Sequence, residues 1–236
     1  MPTPARQLVD AIARRFAPAG TFTRLYARSK VARDPIYFSL LERGGIPDGA
    51  RFLDLGCGQG LLLASLVAAR DLARDGIWLS GWAAPPVLSS LRGIELDAAE
   101  ARRARLALRG EATIDELDLC DAKLPASDVI ALIDVIHYLP PAAQERLLAG
   151  VAEALAPGGL LLLRICDAAD SLRAFLTRAS DHFSTLTKRG ALVRLHLRSA
   201  AEWIARLQAL GLSVETQPMS QGTPFANVLL RARKPS

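Results

Sequence analysis

The sequence predicts an α/β protein built on a doubly wound sheet, because short apolar strands alternate with helical segments along most of the chain. Half of the 236 residues are hydrophobic and only 22% are charged, so the chain can bury a large core and disorder is not expected. The last two predicted strands are joined by a loop too short to hold a crossover helix, so we expect this pair to run antiparallel.

We divide the chain into an N-terminal helical cap, residues 1–48, and an α/β domain, residues 49–236. Apolar residues at helical spacing, together with prolines and glycines at element ends, set the boundaries. Predicted strands cover residues 51–55, 90–96, 112–117, 128–136, 159–165, 213–217 and 227–232. Predicted helices cover residues 5–16, 34–43, 59–70, 98–108, 168–177 and 200–210, with one more opened by Pro140 and closed by Pro157.

Composition narrows the class of partner and the compartment. The net charge is +5, but no block of five or six like charges occurs and aromatic residues do not interleave with basic ones, so a nucleic-acid partner is not favoured. The three cysteines, Cys57, Cys120 and Cys166, are odd in number and lack metal-ligand spacing, which favours a reducing compartment. With no secretory signal and no membrane-length apolar stretch, we predict a cytoplasmic protein without a stable membrane anchor.

The most informative segment follows the first predicted strand and spans residues 52–60. Its three glycines at alternate positions, Gly56, Gly58 and Gly60, allow a sharp turn that brings the backbone against a ligand. The spacing differs from the dinucleotide-binding pattern, and Asp54 directly precedes the turn, where it would repel a pyrophosphate. A ligand with a cationic group is therefore favoured.

Acidic residues also follow the second and third predicted strands. Glu95 is placed to accept hydrogen bonds from both hydroxyls of a ribose. Asp118 and Leu119 are placed to hold the edge and the face of an adenine ring. A ligand with a cationic amino-acid end, a ribose and an adenine is implied, and S-adenosylmethionine has all three.

These motifs together resemble the class I S-adenosylmethionine-dependent methyltransferases. Residues 53–60 are similar to the first motif of that family and residues 93–97 to the second. Residues 133–139 resemble the end of the fourth strand, and residues 155–160 resemble the turn into the fifth. The resemblance extends to about residue 234 and implies a Rossmann-like seven-stranded sheet with an antiparallel last strand.

The resemblance also implies roles for individual residues. The three glycines would line the methionine moiety, Glu95 would hold the ribose, and Asp134 would lie beneath the reactive methyl group. Asp118 would face the adenine amino group, with Asp121 as the alternative. The predicted cofactor-binding residues are Lys30, Asp54, Gly56, Cys57, Gly58, Gly60, Glu95, Leu96, Asp118, Leu119 and Asp134.

Four side chains around this site have further predicted roles. His137, directly after the fourth strand, is the candidate general base, because an imidazole titrates near working pH. Lys30 or Arg28 in the cap could pair with the carboxylate of the methionine end. Cys57 is expected to fill space in the turn rather than act as a nucleophile, and no metal site is predicted.

The donor is therefore clearer than the acceptor. The residues after the fourth strand, 134–137, are not of the Asn-Pro-Pro-Tyr type used for exocyclic amines of bases, and the cap is apolar. We predict a small, partly apolar acceptor, aromatic or lipid-like, in secondary metabolism. An RNA or protein methyltransferase and a non-catalytic assembly protein are the alternatives, and a homodimer is left open. The aromatic insertion at residues 71–91 is interpreted as a surface flap or an oligomer contact.

Overall fold

The computed structural model of the chain describes residues 3–168, 195–220 and 226–236. Its helices are α1 Thr3–Arg15, α2 Thr21–Arg33, α3 Pro35–Arg43, α4 Leu61–Arg74, α5 Ala98–Leu108, α6 Pro141–Ala154 and α7 Ala200–Ala209. Its strands are β1 Arg51–Leu55, β2 Ser90–Glu95, β3 Thr113–Glu116, β4 Ser127–Ile133, β5 Leu155–Cys166, β6 Ser213–Pro218 and β7 Asn227–Arg233. The backbone forms two compact units, one ending at Ala122 and the other beginning at Lys123, while the predicted boundary at residue 48 stays a prediction.

The first unit contains three parallel strands in the order β3-β2-β1. Leu55 of β1 is paired with Ile94 of β2, and Glu95 of β2 is paired with Glu116 of β3, so the carboxyl ends of these strands lie at one edge. Helix α4 is buried along its first nine residues, 61–69, which explains its apolar sequence. The first unit therefore gathers the glycine turn and the acidic residues after β2 and β3 at the same edge.

The cap contains one helix more than the sequence predicted. Helix α1 buries the predicted apolar face, Leu8, Val9, Ile12 and Phe16, which confirms that prediction. Helix α2 was not predicted, because its buried positions are Thr23, Ala27 and Val31 and two of these are small or polar side chains. Without an apolar period the segment carries no helical signal in the sequence.

The second unit contains the strands β4, β5, β7 and β6 in that spatial order. Strand β5 runs parallel to β4, whereas β7 runs antiparallel to both β5 and β6, which confirms the predicted antiparallel final pair. All seven strands form one sheet in the order β3-β2-β1-β4-β5-β7-β6. The predicted doubly wound, Rossmann-like seven-stranded fold class is therefore correct.

Two predicted boundaries in this unit were wrong. Strand β4 ends at Ile133 rather than residue 136, because Asp134 has a φ of 57° and a short 3-10 turn, Ile136–Tyr138, follows it. Strand β5 begins at Leu155 rather than Gly159, and its pairing with β4 jumps from Leu155 to Leu160 across an irregular segment. The predicted helix at residues 168–177 lies outside the described residues after Ala168.

The aromatic insertion packs on the cap. Trp82 meets Phe38 of α3 and Trp78 edge to face, with ring centroids 5.9 Å apart in both pairs, and the Trp78 indole donates to the Ala83 carbonyl at 2.9 Å. The insertion is fastened further by a backbone hydrogen bond from the Ala83 N–H to the Glu42 carbonyl at 3.1 Å. The insertion is thus an anchored part of the first unit.

Among the described helices, none is long and apolar enough to cross a membrane.

Helix α1 is tied to α4 by the partly buried side chain of Arg15. Its guanidinium donates to Asp71 at 3.1 Å and also to Glu111, which in turn pairs with Arg70. We expect Arg15→Met to cost about 1 kcal/mol through loss of these charge-assisted bonds, which corresponds to a fall in Tm of about 2–4 °C. Thermal unfolding checks this, with Arg14→Met at the exposed neighbouring position as the matched control. Equal Tm values for the two variants would contradict it.

Candidate active site

The turn after β1 is set by backbone hydrogen bonds to the neighbouring strand. The N–H groups of Gly56 and Cys57 donate to the Ile94 carbonyl at 2.8 and 3.0 Å, and Gly60 N–H donates to the Cys57 carbonyl at 2.9 Å. The three predicted glycines all have positive φ angles, of 68°, 54° and 78° for Gly56, Gly58 and Gly60. Gly60 is further restricted, because a Cβ there would lie 3.1 Å from the Ala104 Cβ. The sequence therefore needs glycine in this turn for conformational reasons.

A fourth glycine, Gly93 on β2, governs how close the turn lies to the sheet. A Cβ at Gly93 would lie 2.7 Å from the Cys57 Sγ and 3.0 Å from a methyl carbon of Ile114. Sequence reasoning recorded Gly93 as part of a motif but gave it no role. A glycine inside a strand pattern is the signal that could have identified this close approach.

Glu95 connects the glycine turn to the end of β2. Its Oε2 accepts a hydrogen bond from the Gly58 N–H and its Oε1 accepts one from the Asp97 N–H, each at 2.8 Å. Asp97 then caps α5 by accepting from the N–H groups of Ala99 and Glu100. The predicted ribose acid is therefore held in a fixed orientation by the backbone of the same turn that it faces.

Asp54 lies at the same edge and is buried. Burial, reinforced by the nearby Glu95 carboxylate, raises the pKa of Asp54 to about 7. Neither carboxylate has an ion-pair partner among the side chains of the described ranges. A Cβ at Gly58 would meet nothing within 4 Å, so there is open space beside the turn. Two carboxylates without a cationic side-chain partner in the described ranges, at an open turn, fit a ligand that carries positive charge and hydroxyl groups. S-adenosylmethionine has both.

The Cys57 thiol is not suited to nucleophilic chemistry. Burial, with the Asp54 and Glu95 carboxylates nearby, raises the pKa of this thiol, so the reactive thiolate is disfavoured. The Sγ lies 3.6 Å from the Gly58 carbonyl oxygen. This geometry agrees with the prediction that Cys57 fills space in the turn.

The residues after β3 form a compact turn beside the end of β2. Asp118 Oδ1 accepts from the Cys120 N–H at 2.8 Å, and its carbonyl accepts from the N–H groups of Asp121 and Ala122. Asp118 and Asp121 are both exposed, so the choice between them as the adenine acid stays open. Leu96 and Leu117 are exposed as well, whereas the predicted Leu119 is half-buried. Two exposed apolar side chains beside the Glu95 carboxylate suit the face of an aromatic base.

In the cap, the structure gives Lys30 and Arg28 protein partners. Lys30 Nζ lies 2.9 Å from Asp34, whose other carboxylate oxygen caps α3 by accepting from the Ile36 N–H. Arg28 lies 3.0 Å from Asp10. The prediction that either residue pairs with the methionine carboxylate stays a prediction.

In the second unit, Asp134 pairs with a residue that sequence reasoning missed. Arg164 of β5 is buried and donates through Nε to Asp134 Oδ1 at 2.9 Å and through a terminal nitrogen to Oδ2. This two-point contact fixes the Asp134 carboxylate although its backbone has a positive φ. The one charged residue in the run 160–165 was the available signal, because an arginine in a buried strand requires a partner.

His137 lies in the 3-10 turn after β4 and is buried, with 4% of its surface exposed. Burial lowers the pKa of this imidazole, the Asp134 carboxylate opposes that shift, and the Arg164 guanidinium adds to it. The net effect favours the neutral ring, which is the form that can accept a proton.

Gln144 fastens the turn that carries His137. Its fully buried carboxamide nitrogen donates to the carbonyls of Ile136, Leu139 and His196 at 3.2, 3.1 and 2.9 Å. The His196 N–H also donates to the His137 carbonyl at 2.8 Å. Position 144 is an ordinary polar helix residue in the sequence, so nothing there indicated this role.

The close approach at Gly93 gives a direct test of the turn. We expect Gly93→Ala to destabilise the protein by about 1–3 kcal/mol through overpacking and to weaken S-adenosylmethionine binding, because the turn must shift away from Glu95. Gly150→Ala is the control, since a Cβ there meets nothing within 4 Å and alanine stabilises a helix by up to about 1 kcal/mol. Calorimetric titration and thermal unfolding measure both effects, and Cys57→Ala should partly rescue Gly93→Ala. Unchanged affinity of Gly93→Ala for S-adenosylmethionine would contradict the prediction that this turn forms part of the donor site.

Comparison with known proteins gives relatives of several kinds. A carboxy-S-adenosyl-L-methionine synthase from Dichelobacter nodosus is 29% identical over 209 residues, which are 81% of each chain. An O-methyltransferase family protein from Burkholderia thailandensis has a TM-score of 0.64 at 20% identity over 89% of this chain, which spans 57% of that protein. The magnesium protoporphyrin IX methyltransferase of Synechocystis PCC 6803, solved with bound SAH, has a TM-score of 0.59 at 18% identity and covers 94% and 92% of the two chains. The two structures show the shared fold.

A family model described as a methyltransferase domain matches residues 24–217, which is most of the chain. The matched range contains the glycine turn, Glu95 and the strand ends described above. The chain therefore belongs to the methyltransferase domain family and is a class I S-adenosylmethionine-dependent methyltransferase.

Proposed function

We propose that this enzyme transfers the methyl group of S-adenosylmethionine to a small, partly apolar acceptor, aromatic or lipid-like, with His137 as the general base. The observation that carries the proposal is the burial of the His137 imidazole in the turn that follows β4, which lowers its pKa and favours the neutral ring. His137 lies three residues after Asp134, which the resemblance places beneath the reactive methyl group, so a base at this position would be close to the acceptor.

The donor requires little chemistry from the protein, because the bound sulfonium already supplies an activated methyl group and a good leaving group. The residues of this chain therefore act mainly by positioning. We propose that Glu95 holds the ribose hydroxyls, that the turn at Gly56, Gly58 and Gly60 accommodates the methionine chain, and that the buried Asp54 carboxylate favours its cationic end.

The residues after β4 favour one kind of acceptor. The Asp134 carboxylate is held by Arg164, and the neighbouring His137 is kept neutral by burial. A neutral imidazole favours an acceptor whose hydroxyl needs a base, such as a phenol or an alcohol.

On the donor side, we propose that Asp118 or Asp121, with Leu96 and Leu119, holds the adenine. Lys30 would pair with the methionine carboxylate. We further propose a cytoplasmic enzyme of secondary metabolism; the odd number of cysteines and their lack of metal-ligand spacing favour a reducing compartment.

A second candidate function follows from the relative in Dichelobacter nodosus, named as a carboxy-S-adenosyl-L-methionine synthase and 29% identical over 81% of both chains. In that case the enzyme would modify the cofactor itself rather than a separate acceptor. Mass spectrometry of the nucleoside products distinguishes the two, because methyl transfer leaves S-adenosylhomocysteine whereas the other reaction leaves a carboxylated S-adenosylmethionine.

The test of methyl transfer is turnover with a panel of phenols and hydroxylated fatty acids, monitored by mass spectrometry. We expect His137→Asn to lower kcat on the best acceptor by about a hundredfold or more, with unchanged affinity for S-adenosylmethionine, because only proton removal is lost. Wild-type kcat should fall as the pH drops through the lowered pKa of His137, and the variant should lack this dependence. His196→Asn is the matched control. Loss of donor binding, or full activity in His137→Asn, would refute the base assignment.

The raised pKa of Asp54 predicts how donor affinity depends on pH. A cationic ligand binds best when Asp54 is ionised, so affinity should fall as the pH drops below about 7, by at most about tenfold per pH unit. Calorimetric titrations between pH 5.5 and 7 in buffers of different ionisation enthalpy would detect the accompanying proton release. Asp54→Asn should bind more weakly at pH 7 and lose the dependence. If donor affinity depended on pH equally in the wild type and in Asp54→Asn, Asp54 would be excluded as the source of that dependence.

A further inference from the structure

Helix α2 presents an apolar patch to solvent. Phe22, Leu25 and Tyr26, here called the α2 patch, are 84%, 54% and 38% exposed. Their spacing places them on one side of the helix, opposite the buried positions of Thr23, Ala27 and Val31. The helix is thus anchored to the first unit by one face and shows an aromatic and aliphatic surface on the other. Exposed apolar clusters with a polar rim mark interaction surfaces in soluble proteins.

Positive charge is concentrated around the same helix. Residues 3–33 contain seven basic and one acidic side chain, whereas the whole chain has a net charge of +5, so this segment carries more than the entire excess. On α2, the helical period places Arg24 and Arg28 on the Leu25 side of the patch and Arg33 beyond it on the same face as Phe22 and Tyr26, and all three arginines are exposed. Arg28 pairs with Asp10 at 3.0 Å across a partly exposed contact, and that pair leaves Arg24 and Arg33 as the main charges of the rim.

The apolar patch and its neighbouring arginines together favour one class of binding partner. Apolar and aromatic side chains bordered by arginines are typical of a helix that lies at a lipid headgroup boundary, where the rings enter the acyl region and the guanidinium groups meet phosphates. A second copy is disfavoured, because two-fold packing of the patch on itself would bring the arginine flanks together. Three side chains also fall well short of the roughly 1,200 Å² that a stable interface buries.

We propose that the α2 patch binds reversibly to the surface of an anionic lipid bilayer. The proposal does not depend on the identity of the acceptor. Binding would be weak and dependent on salt, since three apolar side chains and a few arginines contribute to it and no described helix is long and apolar enough to cross the membrane.

The test is co-sedimentation of the full chain with vesicles of phosphatidylcholine containing phosphatidylglycerol, compared with phosphatidylcholine alone. We expect binding to the anionic vesicles at low salt and its loss at high salt. The double variant Phe22→Ser/Leu25→Ser should bind at least about tenfold more weakly, and Arg24→Ser/Arg33→Ser should remove the preference for anionic lipid. The matched control is Ile77→Ser/Val87→Ser, which removes two apolar side chains of similar exposure, 48% and 63%, outside α2.

All variants should keep the wild-type Tm and the wild-type affinity for S-adenosylmethionine, which separates loss of lipid binding from loss of folding. No binding to anionic vesicles at low salt would overturn the proposal, as would equal binding to neutral vesicles. Unchanged binding by Phe22→Ser/Leu25→Ser would overturn it as well. A concentration-dependent dimer that this variant abolishes, or tighter binding of RNA than of vesicles, would assign the patch to a different partner.

Discussion

The structure around the predicted donor site depends on one close approach, between the turn after β1 and the backbone of β2. At Gly93 there is no room for a Cβ, since it would lie 2.7 Å from the Cys57 Sγ. Because the turn lies against the strand, the Gly58 N–H reaches Glu95 and the N–H groups of Gly56 and Cys57 reach the Ile94 carbonyl. A wider gap would break all three contacts. The position of the Glu95 carboxylate and the shape of the turn are therefore consequences of the same packing distance.

That packing has an electrostatic cost. It buries Asp54 near Glu95 without a cation among the side chains of the described ranges, and the raised pKa of Asp54 expresses this cost directly. Replacing a buried, uncompensated carboxylate would relieve the cost in the ligand-free protein, but it would remove the group that favours a cationic ligand. The arrangement is understandable if stability of the free protein is exchanged for affinity toward the donor, as is common at binding sites.

Sequence reasoning succeeded where one short segment determines both structure and chemistry. Strand β1 and helix α5 have the predicted ends, and the glycine turn and the antiparallel final strand were both found, whereas the ribose role of Glu95 stays a prediction. It failed where a role depends on distant partners. Gly93 matters because of Cys57, Arg164 because of Asp134, and the helix α2 forms because its buried side packs against the rest of the cap. None of these partners is close in sequence, so no local period or motif could reveal them.

The same reasoning explains why the acceptor is harder to infer than the donor. The predicted donor-binding residues follow successive parallel strands, where sheet geometry places them at one edge whatever the rest of the chain does. The turn that carries His137 is instead held by Gln144 and by the backbone at His196, more than fifty residues further along the chain. A segment that is held by the hydrogen bonds of one side chain can change its amino-acid sequence without changing the sheet. The predicted acceptor side therefore lies in a part of the chain that the sheet constrains less than it constrains the predicted donor site.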